Sequence, residues 1–255
     1  MPSLFEARFV SCLVLSIGAC ATTAAPEVAA PPKPPPASAA PSTQPPAMPD
    51  EPSVRPGINQ RYFLPNALEA IGAILEAESR EVVEQRDAIV DAIALGPAME
   101  VADIGAGTGL FTNAMAERVG PDGHVFAVDL VPSFLERIRE RADNAGLTQV
   151  TTVLGHERAT TLPERSVDVA FMCDTYHHIE YPQSYMRSLF DTIRPGGQLI
   201  LIDFERIEGV TSPRVMAHVR AGKPTVIEEV SAAGFVLDAE VDLLEENYFL
   251  RFLRP

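Results

Sequence analysis

The stretch 101–109 reads Val-Ala-Asp-Ile-Gly-Ala-Gly-Thr-Gly. Three alternating glycines, Gly105, Gly107 and Gly109, allow a backbone to approach a ligand closely. A helix opening behind them would present unpaired N–H groups and partial positive charge. Asp103 stands just ahead of the loop. A second carboxylate, Asp129, stands 20 residues beyond Gly109, at the close of another apolar run, where a carboxylate can hold two ribose hydroxyls. These are the parts of a nucleoside site. A dinucleotide fingerprint needs G-x-G-x-x-G, and its third glycine position here is Leu110. Asp103 also puts negative charge where a pyrophosphate would sit.

S-adenosylmethionine (SAM) has a ribose, an ammonium, a carboxylate and a sulfonium, and no phosphate. The loop backbone can take its carboxylate, Asp103 can favour its cationic end, and Asp129 can hold its ribose. Ala106, inside the loop, and Leu130, beside Asp129, complete the expected cofactor contacts. A nicotinamide-dependent oxidoreductase is opposed by the loop spacing.

Polar and titratable residues gather again at Cys173-Asp174-Thr175-Tyr176-His177-His178-Ile179-Glu180. Methyl transfer from a sulfonium is an in-line displacement, which asks the protein mainly to position the reactants. A base is needed only for a protonated nucleophile. His177 or His178 is the candidate base, with Asp174 or Tyr176 orienting the acceptor. The alternative is that one histidine caps the following helix and the other packs on the cofactor. No metal site is expected, because adjacent histidines rarely ligate one ion unaided and His156 and His218 show no ligand spacing. Cys173 reads as a buried strand residue. The basic island 218–223 suits either an anionic acceptor or a solvated loop, and Tyr62, Glu76 and Arg80 are weaker candidates nearer the N-terminus.

These residues need elements to place them. Apolar residues recur at helical spacing over 66–95, and Gly96-Pro97 ends that pattern. Strands are expected at 99–104, 124–130, 150–154, 167–173 and 198–204, alternating with helices at 108–119, 133–145, 183–193 and 225–233. Residues 194–197, Arg-Pro-Gly-Gly, read as a turn. Such alternation implies an α/β, doubly wound parallel sheet covered on both faces. Two last strands, 235–243 and 248–253, lack a crossover helix between them and must form an antiparallel hairpin.

The loop 103–109, Asp129, the strand ending Cys173-Asp174 and the 194–197 turn together resemble a class I SAM-dependent methyltransferase. The resemblance covers 99–204 and reaches residue 255 through the hairpin. It implies a seven-stranded, mostly parallel, Rossmann-like sheet with SAM across the ends of the first strands. It also implies SAM contacts from Asp103, Gly105, Gly107, Gly109 and Asp129. Many family members carry an acidic residue after the third strand that bonds the adenine amino group. Here that stretch reads Leu154-Gly155-His156-Glu157-Arg158, and Glu157 is the substitute. The expected activity is methyl transfer to a small-molecule acceptor. The competing class is a membrane-anchored binding or scaffold protein that keeps the fold without turnover.

The N-terminal part differs in kind. Residues 9–19 form an apolar run with the length of a signal-peptide core, and Ile17-Gly18-Ala19-Cys20 resembles a bacterial lipobox. Residues 1–20 are read as a lipoprotein-type signal peptide with Cys20 as the lipid anchor, facing the periplasm. A translation start at Met48 would leave the domain cytoplasmic instead. Residues 21–57 are rich in Pro and Ala and lack aromatics, so they read as a disordered tether. The domain then spans 58–255. A net charge of −15 among 255 residues, with 35 acids against 20 bases, argues against nucleic acid as a partner. Three cysteines, Cys12, Cys20 and Cys173, exclude a disulfide framework.

Overall fold

The computed structural model describes residues 51–78 and 80–255, without the side chains of residues 74, 76–78 and 80. The expected signal peptide, Cys20, the alternative start at Met48 and the tether as far as residue 50 lie outside the described residues, as do the side chains of Glu76 and Arg80.

Seven strands form one sheet: β1 (Glu100–Ile104), β2 (His124–Asp129), β3 (Val150–Leu154), β4 (Val167–Cys173), β5 (Ile193–Phe204), β6 (Val236–Glu240) and β7 (Asn247–Leu253). Their order is β3-β2-β1-β4-β5-β7-β6. The first five run parallel, and β7 lies antiparallel to both β5 and β6. The expected terminal hairpin is therefore present, with β7 inserted between β5 and β6. The helices are α1 (Ala67–Glu78), α2 (Arg80–Glu84), α3 (Arg86–Ile93), α4 (Thr112–Val119), α5 (Pro132–Ala145), α6 (Pro182–Thr192), α7 (Pro213–His218) and α8 (Lys223–Ala232).

Strand β5 shows why both faces must be covered. Leu199 and Leu201 join a core with Met186, Leu189 and Val226, from α6 and α8. Ile200 and Ile202 join a second core with Ile89, Val90 and Met115, from α3 and α4. All four are fully buried, so the two-residue period of a strand supplies apolar side chains to both layers.

The order of strands places the reversal between β1 and its two neighbours, β2 and β4. In open parallel sheets the crevice beyond the strand C-termini at that point is where ligands bind. Ile104, Asp129, Cys173 and Phe204 end four parallel strands on this edge.

Four local expectations are corrected. The 66–95 pattern is three helices, not one. α4 begins at Thr112 rather than 108, because Gly105, Gly107 and Gly109 adopt φ of +67°, +54° and +80° and coil the chain before the helix can start. The 194–197 turn lies within β5, as an irregularity between the pairs Val167–Ile193 and Val169–Gln198. Residues 51–57, assigned to the tether, are packed on the domain. The Glu51 carboxylate accepts from the Gln183 and Ser184 amides at 2.8 and 2.9 Å, and so caps α6 from outside. Ser53 donates to Glu180 at 2.6 Å, and Arg55 donates to the carbonyls of Ala217 and His218. Proline-rich composition hid this strap, because its anchoring is by single polar contacts and not by an apolar face. No described helix is long and apolar enough to cross a membrane.

Candidate active site

A cleft with about 780 Å³ of empty space opens at the C-terminal edge of the sheet. Gly105, Gly107, Asp129, Leu130 and Glu157 line it from the first three strands, and Asp174, Thr175, His178 and Glu180 from the segment after β4. The N-terminal segment adds Tyr62, Phe63 and Leu75, and α5 adds Phe134.

Asp129 is the central polar group of the first wall. One carboxylate oxygen accepts from the Gly107 amide and the other from the Val131 amide, both at 2.9 Å. The Leu130 amide also bonds to this carboxylate, so of its roughly four acceptor positions one remains for a hydroxyl in the cleft. Burial raises its pKa, and the amides of Gly107, Val131 and Leu130 pull it back.

The loop amides do not play the part expected of them. Gly105 and Ala106 both donate to the Val128 carbonyl, at 2.8 and 3.1 Å, and Gly109 donates to that of Ala106. With Gly107 bound to Asp129, four of the loop's N–H groups serve its own shape. The glycines thus provide a thin wall rather than an anion nest. A Cβ on Gly105 would stand 2.3 Å from Thr175 Cγ2.

Asp103 also departs from expectation. It is 4% exposed and does not line the cleft. Its carboxylate accepts from Thr112 Oγ1 at 2.6 Å and ties β1 to the start of α4. Burial pushes its pKa up to about 7, against the Thr112 hydrogen bond, with Asp129 adding repulsion. Ala106 and Gly109 likewise lie behind the lining. Glu157 is exposed at the rim.

After β4 the chain turns sharply. Asp174 takes a left-handed φ of +48° and accepts from Asn247 Nδ2 at 2.6 Å. It lines the cleft, in a conformation Asp tolerates better than most residues. Tyr176, expected beside the acceptor, is fully buried on the far side, where its hydroxyl donates to Glu229 at 2.6 Å. Its pKa is raised by burial and then by Glu229. The Cys173 thiol is pushed well up by burial, as suits an inert strand residue.

The two histidines part company. His178 lines the cleft, and Tyr62 Oη lies 3.2 Å from its Nε2. His177 is 3% exposed, with Nδ1 2.8 Å from Asp203 Oδ1 and its amide on Asp203 Oδ2 at 3.0 Å. Its place is therefore set by the end of β5. His218, at the end of α7, joins them, with ring centroids 5.0 Å from His177 and 5.1 Å from His178. Burial, and then the neighbouring rings and guanidinium groups, push the pKa of His178 well below the ordinary range and that of His218 to about 4. Three histidines thus gather here, although His218 shows no ligand spacing in the sequence. Residue spacing could not show it, because β5 brings Asp203 and the α7 loop back beside β4. The basic island 218–223 is neutralised locally: Arg220 pairs with Glu229 at 2.7 Å and Lys223 with Glu205 at 2.7 Å. Asp203 was missed, although a strand-end Asp had already marked β1 and β2.

Comparison with known proteins agrees with this geometry. Residues 101–197 match the family model described as a methyltransferase domain. A ubiquinone/menaquinone biosynthesis C-methyltransferase, UbiE, of Bordetella parapertussis is 30% identical over 120 residues, covering 47% of this chain and 46% of the relative. A demethylmenaquinone methyltransferase of Listeria welshimeri is 30% identical over 103 residues, covering 40% of this chain and 44% of the relative. The chain thus spans under half the length of these curated relatives. Among solved structures, a SAM-dependent methyltransferase from Aquifex aeolicus superposes with a TM-score of 0.61 at 21% identity, covering 77% of this chain and 96% of that one. The [4+2]-cyclase SpnF has the same fold, with a TM-score of 0.58 at 16% identity over 66% of this chain and 81% of that one. Residues 101–197 are thus similar to a methyltransferase domain, and the chain has the fold seen in the SAM-dependent methyltransferase of Aquifex aeolicus.

Proposed function

We propose that the protein transfers a methyl group from SAM to a small, largely apolar acceptor bound in the same cleft. The observation that carries this is one continuous space with two kinds of wall. Asp129, Leu130 and the thin Gly105–Gly107 turn offer a nucleoside surface. Tyr62, Phe63, Phe134 and Ile179 offer an apolar and aromatic one, with His178 and Asp174 at the junction. SAM supplies the activated methyl group. The protein holds a ribose hydroxyl on the remaining acceptor position of Asp129, stacks apolar side chains on the acceptor, and excludes water around the displacement. The quinone-biosynthesis names of the curated relatives support a ring-bearing acceptor. The family match covers only 101–197, and the strap before it and α7 after it lie outside.

Calorimetric titration of SAM into the full chain tests the reading. Wild type should bind SAM and not NAD. Asp129→Ala should weaken SAM binding by about 1.5–3 kcal/mol, roughly 10- to 150-fold, the worth of hydrogen bonds to a charged group. Tight NAD binding without SAM binding would remove the proposal. Methyl transfer from labelled SAM to phenols and quinols, followed by mass spectrometry, then identifies the acceptor.

A further inference from the structure

We propose that His177, His178 and His218 form a binding site for one divalent transition-metal ion of the zinc type at the edge of the cleft. One ring nitrogen from each lies within 4.8 Å of one from each of the others. His178 Nδ1 and His218 Nε2 are buried and have no hydrogen-bond partner. Leaving two such atoms unsatisfied side by side is costly, and a shared ion satisfies both. Asp203 engages Nδ1 of His177, which directs coordination by that ring to Nε2. A carboxylate behind a ligating imidazole is a recurrent support of metal sites. On His178, Nε2 faces the Tyr62 hydroxyl, the corresponding arrangement with a neutral oxygen.

The chemistry of the donors selects the ion. Three imidazoles suit zinc, copper, nickel or iron and not calcium or magnesium. Ligands about 2.0–2.1 Å from zinc stand roughly 3.3 Å apart at tetrahedral angles, so the rings must close inward by up to about 1.5 Å. His218 can supply that movement, since it is only partly buried at the end of a six-residue helix.

Charge sets a further condition. Arg55, Arg61 and Arg214 act on His218 and oppose a cation, while Asp203 is the buried acid in contact with the cluster. An ion held by three neutral rings in such a field favours an anionic fourth ligand. Hydroxide or an ionised hydroxyl of a cleft-bound molecule has that character. The use of the ion on an acceptor rests on the function proposed above, whereas its binding does not.

The test is Co²⁺ titration of the full chain after chelator treatment, read by visible absorption and by competition with Zn²⁺. One Co²⁺ per chain should bind, with the strong visible bands of a four- or five-coordinate ion, and Zn²⁺ should displace it. His218→Ala, on a partly exposed segment, should weaken binding at least 100-fold with its far-ultraviolet spectrum unchanged. Asp203→Asn should weaken it by roughly 10- to 100-fold. His124→Ala, whose ring bonds to Thr151 on the exposed face, should bind as wild type does. Absence of stoichiometric Co²⁺ binding to wild type, or wild-type affinity in His218→Ala, would overturn the site. SAM binding without metal binding would defeat this inference alone, and metal binding without SAM binding would defeat only the methyl-transfer reading.

Discussion

Replacing Gly105 by alanine probes the close approach on which the cleft depends. The residue has φ of +67°, a left-handed conformation that costs a residue with a Cβ roughly 1–2 kcal/mol. The new Cβ would also stand 2.3 Å from Thr175 Cγ2 and 2.6 Å from its Oγ1, inside any tolerable contact. Thr175 must then leave its rotamer, at about 0.5–1.5 kcal/mol, and give up its 2.9 Å bond to the Cys173 carbonyl, worth about 1 kcal/mol. Together these come to about 3–4 kcal/mol, a large share of the roughly 5–15 kcal/mol that holds a domain folded. Thr175→Gly removes all three clashing atoms, so in that background Gly105→Ala should cost only the backbone part. A double-mutant cycle by urea unfolding should therefore show a favourable coupling of about 2 kcal/mol. Additive effects, within about 0.5 kcal/mol, would refute the steric argument. A Gly105→Ala cost below about 1 kcal/mol would refute the backbone argument too.

Three other outcomes are expected. Asp103 ionises near pH 7 in the fold against an ordinary 3.8, so between about pH 4 and 7 the folded chain keeps a proton that the unfolded chain has lost. Stability from this group is full below about pH 4, falls as pH rises through 7, and then levels. Asp103→Asn should keep the Thr112 bond and lack the penalty. It should match wild type in urea unfolding near pH 4 and exceed it at pH 8 by up to roughly 4 kcal/mol; an offset independent of pH would contradict this. Truncation to residue 51 should leave the thermal midpoint nearly unchanged, whereas Glu51→Ala should lower stability by about 0.5–2 kcal/mol through loss of the α6 cap, as differential scanning calorimetry would show. If Cys20 is the lipidated residue, Cys20→Ser should move the native protein out of the detergent phase, and mass spectrometry of the native N-terminus would show the modification or a start at Met48.

Legibility in the sequence followed the range of the interaction. Strands at 150–154 and 167–173 were readable to the residue, because local β-branched and apolar residues decide them. Asp129 and the glycine loop were readable because their spacing is set within one βαβ unit. The internal use of the loop amides was not, since it depends on the Val128 carbonyl of a neighbouring strand. The pairing of His177 with Asp203 spans 26 residues, and its link to His218 spans more. Only the strand order β1-β4-β5 brings these together. Tyr176 shows the converse: Thr175 and His178 on either side of it line the cleft, but the 3-10 turn Tyr176–His178 rotates it into the opposite core.

The strap also gives the domain a defined point of mechanical entry. Among the described residues, tension entering from the N-terminal side meets Glu51 first, then Ser53 and Arg55, and only afterwards Asn59, which donates to the His178 carbonyl at 3.0 Å, and Tyr62. These are separate polar contacts spaced along the chain, not rungs of one continuous ladder. The outermost contacts hold α6 and the end of α7, so a partial peel would loosen the wall carrying His218 before it disturbed Asp129 or the sheet. In this fold a pull from the N-terminal side is met by individual polar bonds, and those at Glu51 hand the load through α6 to the seven-stranded core.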